Sequence, residues 1–279
     1  MTHEAHPVSA GQLPLQLAGI VAAAACTALL VWRIFAQGVV AAADGALSWF
    51  VVVVVSASAV GYLVADFGSG VVHFTFDRFF SADTPILGKN FVLLFRTHHS
   101  DPVDITRHGF VATNGNNCLA ALPVLLLLVF GPFDLSHGPA LFFVAMMVAA
   151  SLGTFATNQF HKWAHATSLP RWVDWLQRHH LILPRGHHRI HHTFPYESHY
   201  CITTGWLNGA LSRIDFWRRL GALGERVLRM PIYCETVAWE QQPGSIAASE
   251  HTAEWLTTTQ GPPAAPSKPA PAADSRAAA

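Results

Sequence analysis

The chain has 279 residues, 51% hydrophobic and 12% charged, where a soluble globular domain carries about 25% charged residues, so the composition points to a membrane protein. Seventeen Lys and Arg balance seventeen Asp and Glu, which leaves no basic footprint for nucleic acid. The four cysteines, Cys26, Cys118, Cys201 and Cys234, form no C-x-x-C, which excludes a thioredoxin motif, a zinc ribbon and c-type haem attachment.

The polar start, 1–14, is expected to be disordered. Apolar runs follow at 15–32, 46–65, 118–133 and 140–160. A membrane span needs about 20 mainly apolar residues. The second and fourth runs meet this easily. The first and third are near the short limit, and Pro123 interrupts the third, so a re-entrant hairpin is the alternative to a third and fourth span. The first run is not a simple signal peptide, since it is long and lacks a basic leader. The fold expected is all-α, with about four transmembrane helices and a cytoplasmic helical cap.

Between the second and third runs, 66–80 should continue as helix, carrying His73 and Asp77 four residues apart. Pro102 and Gly109 should break 91–117 into short pieces, which hold His98-His99, Asp101 and His108. Beyond the fourth run, 158–167 should extend the helix with Asn158, His161 and His165. Pro170 sits near the start of an amphipathic helix with Trp172, Val173, Trp175 and Leu176 as its apolar stripe. Pro184-Arg185-Gly186 breaks the chain before a helix with His187, His188, His191 and His192, which Pro195 ends. The aromatic stretch 200–217 covers a site, lies along the membrane interface or is ordinary core. The division expected is a membrane-embedded domain over 15–220, a cytoplasmic segment over 221–258, and a disordered Pro/Ala-rich tail over 259–279.

Residues four apart share one helix face. His187/His191, His188/His192 and His161/His165 are therefore paired imidazoles, and imidazole is the commonest protein ligand for transition metals. His73/Asp77 brings an imidazole and a carboxylate together in the same way. His98-His99 has no spacing information, and His180 stands a few residues before the large cluster. Eight to ten candidates are too many for one ion and suit two. Asn158, Asp101 and His108 are candidates for the surrounding shell.

Lys and Arg are absent from 36–45 and 131–139 but recur in 67–117 and after 160. Positive loops stay in the cytoplasm, so both termini and all the clustered histidines are expected on the cytoplasmic side, in the inner membrane if the source is bacterial. Arg33 violates this mildly and can snorkel to the interface.

A histidine-rich pair of ions beside membrane helices suggests lipid oxidation. An aliphatic C–H bond offers no acid, base or leaving group, so cutting it needs an oxidant made from O2, which excludes redox-inert zinc and suits iron. Long motifs run through 65–208: Ala65-Asp66-Phe67-x-Ser69-Gly70-x-x-His73-x-x-x-Asp77, Arg96-x-His98-His99-x-Asp101-Pro102, Thr106-Arg107-His108-x-Phe110 and Thr113-Asn114-Gly115-x-Asn117-Cys118. They continue through Thr157-Asn158-Gln159-x-His161-Lys162-Trp163-x-His165, His180-x-Ile182-Leu183-Pro184-Arg185-x-His187-His188-Arg189-Ile190-His191-His192 and Tyr200-Cys201-Ile202-Thr203-Thr204-Gly205-Trp206-Leu207-Asn208. With these motifs the sequence resembles the plasmanylethanolamine desaturase family.

The resemblance covers roughly 65–220. It implies an O2-dependent oxidoreductase that places a cis 1′,2′ double bond in the O-alkyl chain of an ether phospholipid, giving the vinyl ether of a plasmalogen. It implies two iron ions, with His73, His98, His99, His161, His165, His180, His187, His188, His191 and His192 as ligands and Asp77 in support. Arg96, Arg107, Arg185 and Arg189 are candidates for the lipid phosphate, with packing or positive-inside charge as the alternative. The chain carries no flavin, haem or nicotinamide signature, so electrons are expected from a separate carrier such as a ferredoxin or cytochrome. An acyl-chain desaturase or a hydroxylase with the same cage is the nearest rival. A metal transporter or sensor is a distant one, since a transporter places its ligands near mid-membrane.

Overall fold

A computed structural model describes residues 12–85, 87–193 and 196–229. Among the described residues the regular structure is all helical. Four helices are long and apolar enough to cross a bilayer: α1 (Gln12–Ala43), α2 (Leu47–Arg78), α4 (Phe110–Phe130) and α5 (Gly138–His165). The chain is an integral membrane protein. Shorter elements complete it: α3 (Leu93–Ser100), preceded by a π-helical turn (Gly88–Val92) and followed by a 3-10 turn (Asp104–Arg107), then α6 (Arg171–Arg178), α7 (Arg185–His191), α8 (Asn208–Arg213) and α9 (Phe216–Leu228).

Each run grows beyond its apolar core. α1 begins at Gln12, inside the stretch expected to be disordered; Pro14 falls in the first turn, where a missing N–H costs no hydrogen bond. Pro123 lies inside α4, which stays one helix of 21 residues, roughly 31 Å at 1.5 Å per residue and long enough to span. The re-entrant alternative is therefore not adopted. α2 has 32 residues, roughly 48 Å, so its last turns project past a hydrocarbon layer of about 30 Å. Val52, Val55, Trp32 and Phe35 are exposed on these helices. Such a surface would be a liability in water and is ordinary against lipid.

Small residues let the helices approach. A Cβ on Gly61 of α2 would collide with the backbone carbonyl of Met146 on α5, and one on Gly153 would lie 2.6 Å from the Ala65 methyl. Close backbone packing of this kind replaces the hydrophobic drive that lipid removes. Arg33 on α1 reaches the end of α4. Its guanidinium donates to the carbonyls of Leu128 (3.2 Å) and Phe133 (2.8 Å), satisfying acceptors that the end of α4 leaves open.

The connections at 44–46 and 131–137 are short, so each joins antiparallel neighbours. The long connection 79–109 and everything after α5 therefore meet at the other end of the bundle and form a helical cap. α6 turns differently from expectation. Val173 and Gln177 face inward, while Trp172 and Trp175 are exposed; the Gln177 side chain donates to the Leu183 carbonyl at 3.0 Å, and this bond sets the helix's roll. α7 starts at Arg185, directly after Pro184, whose fixed φ suits a helix entry. It ends at His191 with His192 as its cap. Pro195, the expected stop, lies outside the described residues, as do 230–258 and the 259–279 tail.

Candidate metal centre

Four helix ends converge in the cap. The C-terminal turns of α2 bring His73 and Asp77, α3 brings His98 and His99, the last turn of α5 brings His161 and His165, and α7 brings His188, His191 and His192. They sort into two groups able to hold a metal ion: His98, His161, His165, His188 and His192, and His73, Asp77, His99 and His191.

In the first group Nε2 atoms point at one another. His98 lies 3.0 Å from His161 and 2.9 Å from His165, His161 lies 3.0 Å from His165 and 2.8 Å from His188, and His188 lies 2.8 Å from His165 and 3.1 Å from His192. The His165 ring is beside each of the other four, with centroids 4.5–4.8 Å away. His98 and His188 face each other across the group at 6.4 Å and 21°. This is a square-pyramidal order with His165 at the apex. An ion with nitrogens at about 2.0–2.1 Å puts neighbouring ligands at right angles roughly 3 Å apart, so the observed spacings fit such an ion.

The second group mixes charge types. Nε2 of His73, His99 and His191 lie 3.3, 3.5 and 3.6 Å from Asp77 Oδ2, and His99 Nε2 is 3.1 Å from His191 Nε2. Nδ1 of His73 meets the Tyr200 carbonyl at 3.2 Å, and Nδ1 of His191 meets the Ser198 carbonyl at 2.9 Å. A carbonyl can only accept, so each Nδ1 carries the proton and each Nε2 keeps its lone pair for a ligand. The Tyr196 ring stacks on His99 at 4.8 Å. Residues 196–200 thus lie against this group, whereas Tyr200, Cys201 and Trp217 of the 200–217 stretch pack with Phe74 and Phe79 as core. Burial, and then neighbouring imidazoles, holds His188 and His192 well below the ordinary histidine pKa; burial and then His99 does the same for His191. Neutral imidazole is the metal-binding form.

His180 and His187 stand outside both groups. His187 meets Asn208 instead. Its Nε2 is 3.1 Å from Asn208 Nδ2. The Cys201 N–H donates to Asn208 Oδ1 at 2.9 Å, which fixes the amide so that its NH2 faces His187; Nε2 then accepts, and its lone pair is used. His180 has a left-handed backbone (φ 54°), is exposed, and offers its carbonyl to Trp206 Nε1. An i,i+4 rule places residues on a face but not toward a partner, so it grouped His187 with His191.

Three expected shell residues do other work. Asn158 ties α5 to α4, donating to the Thr113 carbonyl at 2.9 Å and to Asn117 Oδ1 at 3.2 Å. Asp101 pairs with Arg107 at 2.7 Å, and His108 with Asp104 at 3.1 Å. The arginines are also engaged. Arg96 donates to the carbonyls of Phe79 (3.3 Å) and Phe80 (2.8 Å) just after α2, Arg185 to that of Ala166 just after α5, and Arg107 to Asp101 and Asp104. Arg189 is half-buried on α7. The packing alternative describes the first three. What sequence reasoning missed is the backbone shell, the Ser198 and Tyr200 carbonyls, which no side-chain pattern announces.

Fold and site together define a multi-span helical membrane protein with two histidine-rich groups able to hold a metal ion, gathered at one end of its bundle. Residues 62–230 match the lipid desaturase domain, and the chain belongs to that family. It is similar to plasmanylethanolamine desaturase of Myxococcus xanthus, 45% identical over 204 residues, covering 73% of this chain and 68% of that protein. It is also similar to plasmanylethanolamine desaturase 1 of Mus musculus, 48% identical over 189 residues, 65% of this chain and 69% of that one. Fatty acid desaturase 4, chloroplastic, of Arabidopsis thaliana is 32% identical over 202 residues, 72% of this chain and 56% of that protein. No solved structure matches. The chain is an oxidoreductase of the desaturase class.

Proposed function

We propose that this desaturase places a cis 1′,2′ double bond in the O-alkyl chain of plasmanylethanolamine, forming the vinyl ether of a plasmalogen. The observation that carries the reading is the pair of groups able to hold a metal ion, at the end of an apolar helix bundle in a chain 45–48% identical to two plasmanylethanolamine desaturases. Each group would hold one iron ion, through His98, His161, His165, His188 and His192 in one and His73, Asp77, His99 and His191 in the other. Bound iron supplies the oxidising power: the two adjacent carbons lose two hydrogens, and O2, with two electrons and two protons from outside the alkyl chain, ends as two waters.

The chain's own residues hold and orient. Ser198 and Tyr200 carbonyls keep His191 and His73 in the tautomer that presents Nε2. Arg96 and Arg185 hold the ends of α2 and α5 in place, and the Asp77 carboxylate offsets positive charge in its group. The electrons come from a separate carrier such as a ferredoxin or cytochrome. Both termini and both groups lie on the cytoplasmic side, supported by the distribution of Lys and Arg.

The test is expression in a host that makes plasmanyl but not plasmenyl lipids, with and without air, and mass spectrometry for acid-labile vinyl ether. Vinyl ether only in air is expected. A new double bond in an acyl chain instead would favour the reading that the chloroplast relative's name suggests. His188→Ala should lose one of two bound irons and at least about 100-fold of activity, beyond the roughly 10–100-fold that loss of a residue behind a metal ligand costs. His187→Ala should keep both irons; loss of either would return His187 to the ligand set.

A further inference from the structure

Asp66 is a buried carboxylate to which the chemistry above gives no task. It lies on α2 seven residues, two helical turns, before His73, and its exposure is 0%. Its Oδ1 accepts the backbone N–H groups of Thr204 (2.7 Å) and Gly205 (2.9 Å), and its Oδ2 that of Leu207 (3.3 Å). Charge-assisted bonds of this kind are about twice as strong as neutral ones. Gly205 has φ +76°, and a Cβ there would sit 2.7 Å from the His187 ring. Only glycine lets the chain curl around the carboxylate without strain or collision.

The segment held this way lies along α2 as a strap. The Ile202 N–H donates to Ser69 Oγ at 3.0 Å, and Thr203 Oγ1 to the Ala65 carbonyl at 3.4 Å. The near part of the same strap touches all three imidazoles of the second group: the Tyr200 carbonyl on His73, the Ser198 carbonyl on His191, and the Tyr196 ring on His99. Extended chain advances about 3.3 Å per residue. A slip of one residue would therefore carry both carbonyls out of reach of the rings they orient.

We propose that Asp66 is a positioning residue for the group of His73, Asp77, His99 and His191: by pinning the strap in register it turns Nε2 of His73 and His191 into that group. This rests on the reading that the group holds iron. The other group draws its imidazoles from α3, α5 and α7, so it should not depend on Asp66 in the same way.

The experiment uses the full chain purified in detergent after growth on isotope-enriched iron, with iron per chain and the Mössbauer spectrum as readouts. The parent protein should show two distinct iron environments; a parent without bound iron overturns the reading of the site before Asp66 is tested. Asp66→Asn keeps the shape but turns one acceptor into a donor facing N–H groups. It should fold, keep one iron with its parent signal, and lose or displace the other signal. Ser69→Ala, which removes one strap bond but not the pin, should keep both signals. Two unchanged signals in Asp66→Asn, or loss of both irons from folded protein, overturns the proposal. If Asp66→Asn does not accumulate, Asp66→Glu decides: the charge remains and the pin is one methylene longer. Displacement of one signal supports the proposal, and an unchanged pair overturns it.

Discussion

His188, His191 and His192 are buried among one another, and burial, ahead of the neighbouring imidazoles, pushes each well below 6.5. In the unfolded chain the same rings titrate near 6.5. Between the two values the unfolded state binds more protons, so the folded state is favoured fully above about 6.5 and loses ground as pH falls below it. Metal-free protein in detergent should therefore melt at a steadily lower temperature from pH 7 to pH 5. Each of these histidines contributes up to about 1.4 kcal/mol per pH unit. A melting temperature that stays flat over that window would contradict the burial of these rings as neutral groups.

The elements are placed by what they must satisfy rather than by apolar length. α2 and α5 run on past their apolar cores because the cap supplies partners for the extra turns: Arg96 reaches the carbonyls just after α2, and Arg185 the carbonyl just after α5. Their contact depends on Gly61, where an added methyl would meet the Met146 carbonyl, a backbone atom that cannot step aside cheaply. Gly61→Ala should destabilise the protein by about 1–3 kcal/mol, the usual scale of overpacking, read as a lower melting temperature in detergent. A melting temperature equal to the parent's would mean that the helices separate more easily than their packing implies. Pro123 shows the opposite tolerance. It removes one N–H from α4 without ending the helix, as is common where neighbouring helices support a span.

At the scale of the molecule, two short connections at one end and the cap at the other make sidedness a single binary choice. The arrangement that keeps Lys and Arg inside puts residues 131–137 outside. A periplasm-active reporter inserted there should be active, and a cytoplasm-active reporter fused after residue 279 should be active too. The reverse pair would invert the site's sidedness.

The four long apolar helices, the clustering of histidines and the family were legible in the sequence because each is a local property. Apolar length marks a helix able to span, i,i+4 spacing pairs imidazoles, and long motifs carry a resemblance. Local spacing could not say which way α7 rolls. His187 and His191 share a helix face by rule, yet Asn208 takes one and the metal group the other. Nor could it say that Asn158, Arg96 and Arg185 bond across to other segments, since their partners lie 16 to 45 residues away along the chain. Composition and motif alone make the chain a membrane-embedded, histidine-rich desaturase. How nine side chains divide into two groups, and that the carbonyls of Ser198 and Tyr200 orient rings of one of them, follows from the packed fold, because such a group is defined by distances between helix ends, which no single helix contains.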